Sequence, residues 1–296
     1  SNSAGMVTIA YGSNSGLTNQ QIFHQNSVGV SGSVSSNERF GAAVASGDLN
    51  ADGYDDVVIG VPGEYRCWPH IRVCGPVGAI QLLYGSENGI RTDNDQYFGQ
   101  RSNGVTAHPS VGDRFGASVS TGDIDGDGYD DVVLGIPGDY RCWPHIRVCG
   151  PVGAIMILYG TENGTTSVDD DYWGQRSNGV PGYVGVGDEF GAVVTTGDIY
   201  VVGYDDVIIG VPGESGERYD LYVSGVAFTS IYDTGVTFLT SLYEDQALED
   251  SNSPYQYTRE LPIGTLGMAY YCVVTVDAIG LFNNETSGGS CDSIEE

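Results

Sequence analysis

The chain has 296 residues, 40% of them hydrophobic, which is enough for a packed core and close to the upper size for a single one. Its 11 basic and 39 acidic residues give a net charge of −28, and every basic residue is arginine. That charge repels nucleic acid and anionic membrane, and no run of 18 apolar residues is present to insert into a bilayer.

With 45 glycines, 20 tyrosines and short Val/Ile runs set between Gly, Asp, Asn and Pro, the composition predicts an all-β chain of short strands joined by turns. The chain starts at Ser1 without the basic and apolar segments of a signal peptide, so a mature product or an excised fragment is expected. In chain order, the first strand-like segment is Ala4 to Ser13, AGMVTIAYGS. A much longer unit follows, RFGAAVASGDLNADGYDDVVIGVPGE from Arg39. It returns 75 residues later from Arg114 and again from Glu189. A repeat of that length means stacked or radial units.

One period holds four strand-like segments: Phe115 to Ser120, Asp131 to Pro137, Gly153 to Tyr159 and Asp171 to Gly174. Their counterparts are Phe40 to Ser46, Asp56 to Pro62, Gly78 to Tyr84 and Asp95 to Gly99. Four antiparallel strands per unit make a propeller blade. Ala4 to Ser13 matches the third strand of such a blade, VGAIQLLYGS from Val77, so the chain opens on a half-blade. The third signature has no obvious third strand of its own.

Between the first and second strands, oxygen side chains recur at every second position: Asp48, Asn50, Asp52 and Asp56, then Asp123, Asp125, Asp127 and Asp131. Backbone carbonyls of Tyr54 and Tyr129 complete each set, and Gly53 or Gly128 supplies the sharp turn. An EF-hand also begins in this way but needs Glu at about position 12. Here Ile59 and Leu134 stand there, within strands. All-oxygen donors in a flexible loop favour Ca²⁺ over Zn²⁺ and Mg²⁺, whereas a plain acidic turn would leave its carboxylates repelling one another. The third loop has Tyr200 and Val202 at two ligand positions. Two calcium sites and one degenerate loop are therefore expected.

Between the second and third strands, the first two units carry an identical insertion, YRCWPHIRVCGPVGAI, from Tyr65 and from Tyr140. Local bridges Cys67–Cys74 and Cys142–Cys149 are the simple reading, with Cys272–Cys291 left over, and bridges imply an oxidising, extracellular setting. In an antiparallel meander the cation loops leave from one end and these hairpins from the other. The repeated GQRSNGV from Gly99 and Gly174 also reaches the hairpin end, where eight of the eleven arginines map. Trp68, His70 and Arg72, repeated as Trp143, His145 and Arg147, form a candidate recognition surface for glycan or protein. In the blander alternative Trp covers the blade, Arg pairs with acids such as Glu64 and Asp139, and the bridge stiffens the insertion. A zinc site at Cys67, His70 and Cys74 would supply only three groups per hairpin.

Phe40-Gly41 with Gly60-Val61-Pro62, Phe115-Gly116 with Gly135-Ile136-Pro137, and Phe190-Gly191 with Gly210-Val211-Pro212 resemble the FG-GAP repeats of integrin alpha-subunit propellers. The resemblance covers residues 1–214. It implies calcium held for structure in the loops and a ligand face at the opposite end. Such propellers close with about seven blades, so three signatures and a half-blade cannot close a ring alone. Two readings follow: part of a longer array, or completion of the half-blade by another copy, giving head-to-tail filaments.

Residues 215–296 break the repeat. Segments such as YDLYVSGVAFTS and AYYCVVTVDAIGLF suit a small β-sandwich, and LPIGTLGMAYYCVVTVDAIGLFNNETSG is similar to the end of a fibronectin type III domain. Asn163 and Asn284 sit in glycosylation sequons. No nucleophile elbow, metalloprotease helix or phosphate loop appears, so no catalytic residues are expected. The sequence thus predicts an extracellular or cell-surface, calcium-stabilised adhesion or structural protein that self-associates or binds an extracellular protein. The competing reading is a lectin-like module using the hairpin face.

Overall fold

Short runs of Val and Ile punctuated by Gly and Asp pair in sequence order. The structure, a computed structural model, describes residues 4–32, 34–143, 148–180 and 184–214, together with the backbone of four strands beyond them. A first pair, β1 (Val7–Ser13) and β2 (Gly16–Phe23), is antiparallel. The first full blade comprises β3 (Val44–Gly47), β4 (Asp56–Val61), the hairpin β5 (Tyr65–Trp68) and β6 (Val73–Pro76), then β7 (Ala79–Tyr84) and β8 (Arg91–Phe98). The second repeats it as β9 (Val119–Gly122), β10 (Asp131–Ile136), β11 (Tyr140–Trp143), β12 (Val148–Pro151), β13 (Ala154–Tyr159) and β14 (Thr166–Trp173). The sheets run β3-β4-β7-β8 and β9-β10-β13-β14, each with its hairpin as a separate two-stranded ribbon. The third signature gives only β15 (Val193–Gly197) paired with β16 (Asp206–Gly210).

The first pair occupies the place of a blade's outer half. Gly5 bridges Phe40 in parallel, as Gly78 bridges Phe115 and Gly153 bridges Phe190. Thus β1 docks on the first blade as β7 docks on the second. Within each full blade the two middle strands are buried on both faces; Val58, Ile59, Ile80, Leu82, Leu134, Ile136, Met156 and Leu158 have no exposed surface. Burial of each such side chain contributes about 1.5–3 kcal/mol.

Two expected boundaries move. The first strands begin at Val44 and Val119, not at Phe40 and Phe115, because the Phe-Gly step is a turn: Arg114 and Gly116 have φ of 61° and 76°. The backbone there is spent on neighbours, with Phe115 N donating to Val77 O at 3.0 Å and Gly116 N to Gly135 O at 3.0 Å. The fourth strands start earlier than expected, at Arg91 and Thr166, since their polar, exposed stretches still pair with the buried third strand.

The two signatures turn out to be two sides of one contact. A Cβ added at Gly60 would collide with the carbonyl oxygen of Gly116 in the next blade, and one at Gly135 with that of Gly191. Only glycine allows the backbones so near. At Gly210 the nearest atoms belong to Val193 of its own blade. No following Phe-Gly turn reaches it among the described residues.

The chain divides into two compact units, one of residues 1–178 and 184–214, the other of 179–183 and 215–296. In the second, β17 (Arg218–Ser224), β18 (Thr237–Tyr243), β19 (Ala269–Val276) and β20 (Cys291–Ile294) form an antiparallel sheet of order β18-β17-β19-β20. A sandwich needs a second sheet, and none is present among the described strands. The register sets Cys272 directly opposite Cys291.

Candidate functional site

Each loop between the first and second strands is shaped by its own acids before any cation is considered. In the second loop the Asp123 carboxylate accepts from Gly126 N (2.7 Å), Asp127 N (3.1 Å) and Gly128 N (3.0 Å). Asp131, 1% exposed, accepts from Ile124 N at 2.9 Å and Gly160 N at 2.8 Å, tying the loop to the end of the third strand. The turn needs left-handed backbone at Gly126 and Gly128, with φ of 76° and 92°. Carboxylate oxygens of Asp123, Asp125 and Asp131 lie within 4.8 Å of one another. Asp127 is not in that group; its Oδ1 accepts from Tyr129 N at 3.0 Å. Burial pushes the Asp131 carboxyl up to about 6, with the charges of Asp125 and Asp127 adding to the rise.

The first loop repeats this arrangement. Asp48 accepts from Asp52 N (3.0 Å) and Gly53 N (2.8 Å), and Asp56 from Leu49 N (3.0 Å) and Gly85 N (2.8 Å). Asn50 Nδ2 donates to Asp52 Oδ2 at 3.2 Å, and Tyr54 N donates to Asp52 Oδ1 at 3.0 Å. Burial likewise raises Asp56 to about 6, with Asp52 and Asp48 adding to it. Convergent, mutually repelling oxygens with no nitrogen or sulfur donor fit a hard divalent cation. Among the described residues Asp123, Asp125 and Asp131 make such a group and would hold a divalent cation; Asp48, Asn50, Asp52, Asp56 and the Tyr54 carbonyl, with Asp127 and the Tyr129 carbonyl, are the further donors that the two loops offer. The third loop keeps the turn with Tyr200 and Val202 in place of two ligands: Val202 N and Gly203 N donate to Asp198 at 2.9 Å each. Ile199, Tyr200, Val201 and Val202 there are all more than 60% exposed.

At the other end of the blades, the hairpins are closed as expected, by disulfides Cys67–Cys74 and Cys142–Cys149. Those thiols are consumed, so the zinc alternative fails. Pro69–Ile71 forms a 3-10 turn, and Arg72 caps it in the left-handed region at φ 59°. Arg66 pairs with the buried Glu64 at 3.1 Å and lies 4.9 Å over the Tyr97 ring. In the second blade Arg141 pairs with Asp139 at 2.7 Å and lies 4.5 Å over Tyr172. Desolvation raises both acids despite these partners. Beneath them Gln100 Nε2 donates to Asp113 at 2.7 Å, and burial holds the Asp113 carboxyl up at about 7.

A cleft of about 270 Å³ opens at this end, lined by Arg66, Trp68, Gly78, Tyr97, Gly99, Gln100, Arg101 and Ser102. Of the predicted recognition residues it takes Trp68; His70 and Arg72 lie outside the lining. His145, Arg147 and the Trp143 side chain fall outside the described residues, as does Asn284. Arg66 and Arg101 were missed as site residues. The signal was available in the identical YRCW and GQRSNG stretches of both blades. Asn163 is exposed in the turn between β13 and β14.

The comparisons agree with this geometry. The FG-GAP repeat family matches residues 40–83 and 115–168. Integrin alpha-PS5 of Drosophila melanogaster is 33% identical over 146 residues, 47% of this chain and 13% of that protein. Integrin alpha pat-2 of Caenorhabditis elegans is 26% identical over 187 residues, 59% of this chain and 13% of its own length. Phosphatidylinositol-glycan-specific phospholipase D of Bos taurus is 32% identical over 130 residues, 44% of this chain and 14% of its own length. The chain thus spans about a seventh of the length of these relatives. Matching signatures and blades thus place FG-GAP repeats at residues 40–83 and 115–168, and over its repeat region the chain is similar to integrin alpha subunits.

Proposed function

We propose that the chain is an extracellular, non-catalytic adhesion or matrix protein whose blades are stabilised by calcium in the first two loops. The convergent oxygens of Asp123, Asp125 and Asp131 are the observation that carries the reading. The integrin alpha relatives and the two disulfides support its setting outside the cell. Calcium, when bound, supplies charge compensation in the loops; the chain's own residues supply the rigid blades and the hairpin face at the far end.

Self-association is part of the proposal. Among the described residues β1 lacks a partner on the edge where β7 and β13 pair with second strands, and β16 lacks one where β4 and β10 pair with third strands. One copy's β15–β16 and another's β1–β2 together make a four-stranded blade. That junction would also bring a neighbour onto the exposed apolar Ile199 to Val202. Open edges and apolar patches of this kind are ordinarily covered. Sedimentation in calcium should show species heavier than one chain, with linear arrays under the electron microscope. A single 31.3 kDa species at every concentration would contradict the assembly.

The cleft favours one second reading, a lectin-like site for glycans. An indole from Trp68 offers a stacking face, and Arg66 and Arg101 offer guanidinium groups to sugar oxygens and carboxylates. On a glycan array, Trp68→Ala and Arg101→Ala should each weaken any binding about tenfold, a loss of roughly 1.4 kcal/mol. Undiminished binding by both variants would remove the cleft as the site.

A further inference from the structure

We infer that Asp130 and Asp205, which are not cation ligands, are positioning residues for the cation loop of the blade before their own. The inference rests on the calcium reading of the first two loops. Each aspartate stands just before the last ligand position of its loop, yet its contacts are about 80 residues away, across the blade junction. Asp130 Oδ2 accepts from Asp48 N at 2.9 Å, while Asp130 N donates to Asp48 O at 3.0 Å. The backbone of the first ligand residue is therefore gripped at both its donor and its acceptor. At the next junction Asp205 N donates to Asp123 O at 2.8 Å.

The glycines confirm that the carboxylates occupy equivalent places. A Cβ at Gly47 would collide with Asp130 Oδ2, and one at Gly122 with Asp205 Oδ2. A Cβ at Gly197, the same position in the third signature, would meet nothing within 4 Å. Tyr204 joins the second grip, for its ring fills the space that a side chain at Gly126 would need. Asp55, the first blade's equivalent, is exposed.

This accounts for an otherwise odd feature of the third loop. Tyr200 and Val202 have replaced two ligands, and Val201 is held at φ 55°, a costly conformation for a β-branched residue. Yet Gly203-Tyr204-Asp205-Asp206 survives unchanged from the other loops. A loop that no longer holds a cation keeps the half of its sequence that supports the loop before it. Its function becomes that of a buttress, and the second site needs the third blade although it takes no ligand from it.

Asp205 is the clean residue to test, since its own loop has lost two of its ligands, whereas Asp130 adjoins Tyr129 and Asp131. Calcium titration calorimetry on the full chain should find two sites. In Asp205→Ala one site should weaken about tenfold, because the carboxylate packed against Gly122 beside the Asp123 backbone is removed, while the other stays unchanged. Asp205→Asn keeps an acceptor oxygen and loses the charge, so it should stay within about threefold of the parent, a difference under 1 kcal/mol. Gly122→Ala, which displaces the Asp205 carboxylate, should weaken the same site as Asp205→Ala. Unchanged affinity in Asp205→Ala, or equal loss in the Ala and Asn variants, overturns the positioning role. Absence of calcium binding by the parent overturns the calcium reading and the inference with it, and the two failures are thereby distinguished.

Discussion

Phe115→Ala should be the most damaging single substitution in the blades, costing about 3–5 kcal/mol as expected for a large aromatic removed from a packed core. Phe115 has no exposed surface and lies in a cluster with Leu82, Val132, Leu134 and Met156, which spans two blades. Its backbone is held to Val77 of the preceding blade and bridges Gly78. Truncation therefore opens a cavity at a junction whose walls cannot close in without dragging two sheets together. For a unit of this size the loss corresponds to a fall in melting temperature of roughly 6–20 °C. Thermal unfolding followed by circular dichroism would measure it. A fall under about 2 °C, or less than 1 kcal/mol, would mean that the Phe-Gly turn does not join the blades as described.

Cation removal should have the next largest effect, and two aspartates of the second loop separate its parts. At a free calcium concentration 100 times the dissociation constant, a bound cation adds about 2.7 kcal/mol per site. Asp125 is exposed, and its Oδ1 accepts from Asp127 N at 3.2 Å. Asp125→Ala should lower the melting temperature in calcium and leave it unchanged in excess chelator, because its contribution goes through the cation. Asp131 is buried and accepts from two backbone donors. Asp131→Ala leaves both without a partner, at about 1–3 kcal/mol each, so it should destabilise the chain even in chelator. Equal melting of Asp125→Ala and the parent in calcium would show that this oxygen binds nothing.

Much of this was readable from residue order alone. The 75-residue period, the oxygen ladder and the paired cysteines are local patterns, and local patterns survive in a one-dimensional string. The docking of Ala4 to Ser13 as a third strand was legible for the same reason, since it copies a strand whose role the repeat defines. The strand starts at Phe40 and Phe115 were misplaced because an apolar residue beside Gly looks extended, whereas here its backbone bonds are taken by the neighbouring blade. Polar stretches from Arg91 and Thr166 gave no apolar alternation to mark them as strands. The grips by Asp130 and Asp205 were hidden for a different reason: in sequence they are the first half of an acidic pair, and their partners stand a full repeat away. Trp68 was recognisable as a presented aromatic, but its companions Arg66 and Arg101 meet only once β5 is laid beside the end of β8.

The central claim is that the first two loops hold calcium and the third, despite the same turn, does not. Equilibrium dialysis against calcium with the metal counted per chain tests it most directly. The account predicts two ions bound, falling to one in either Asp48→Ala or Asp123→Ala. No bound calcium, or a third ion that disappears with Asp198→Ala, would contradict it.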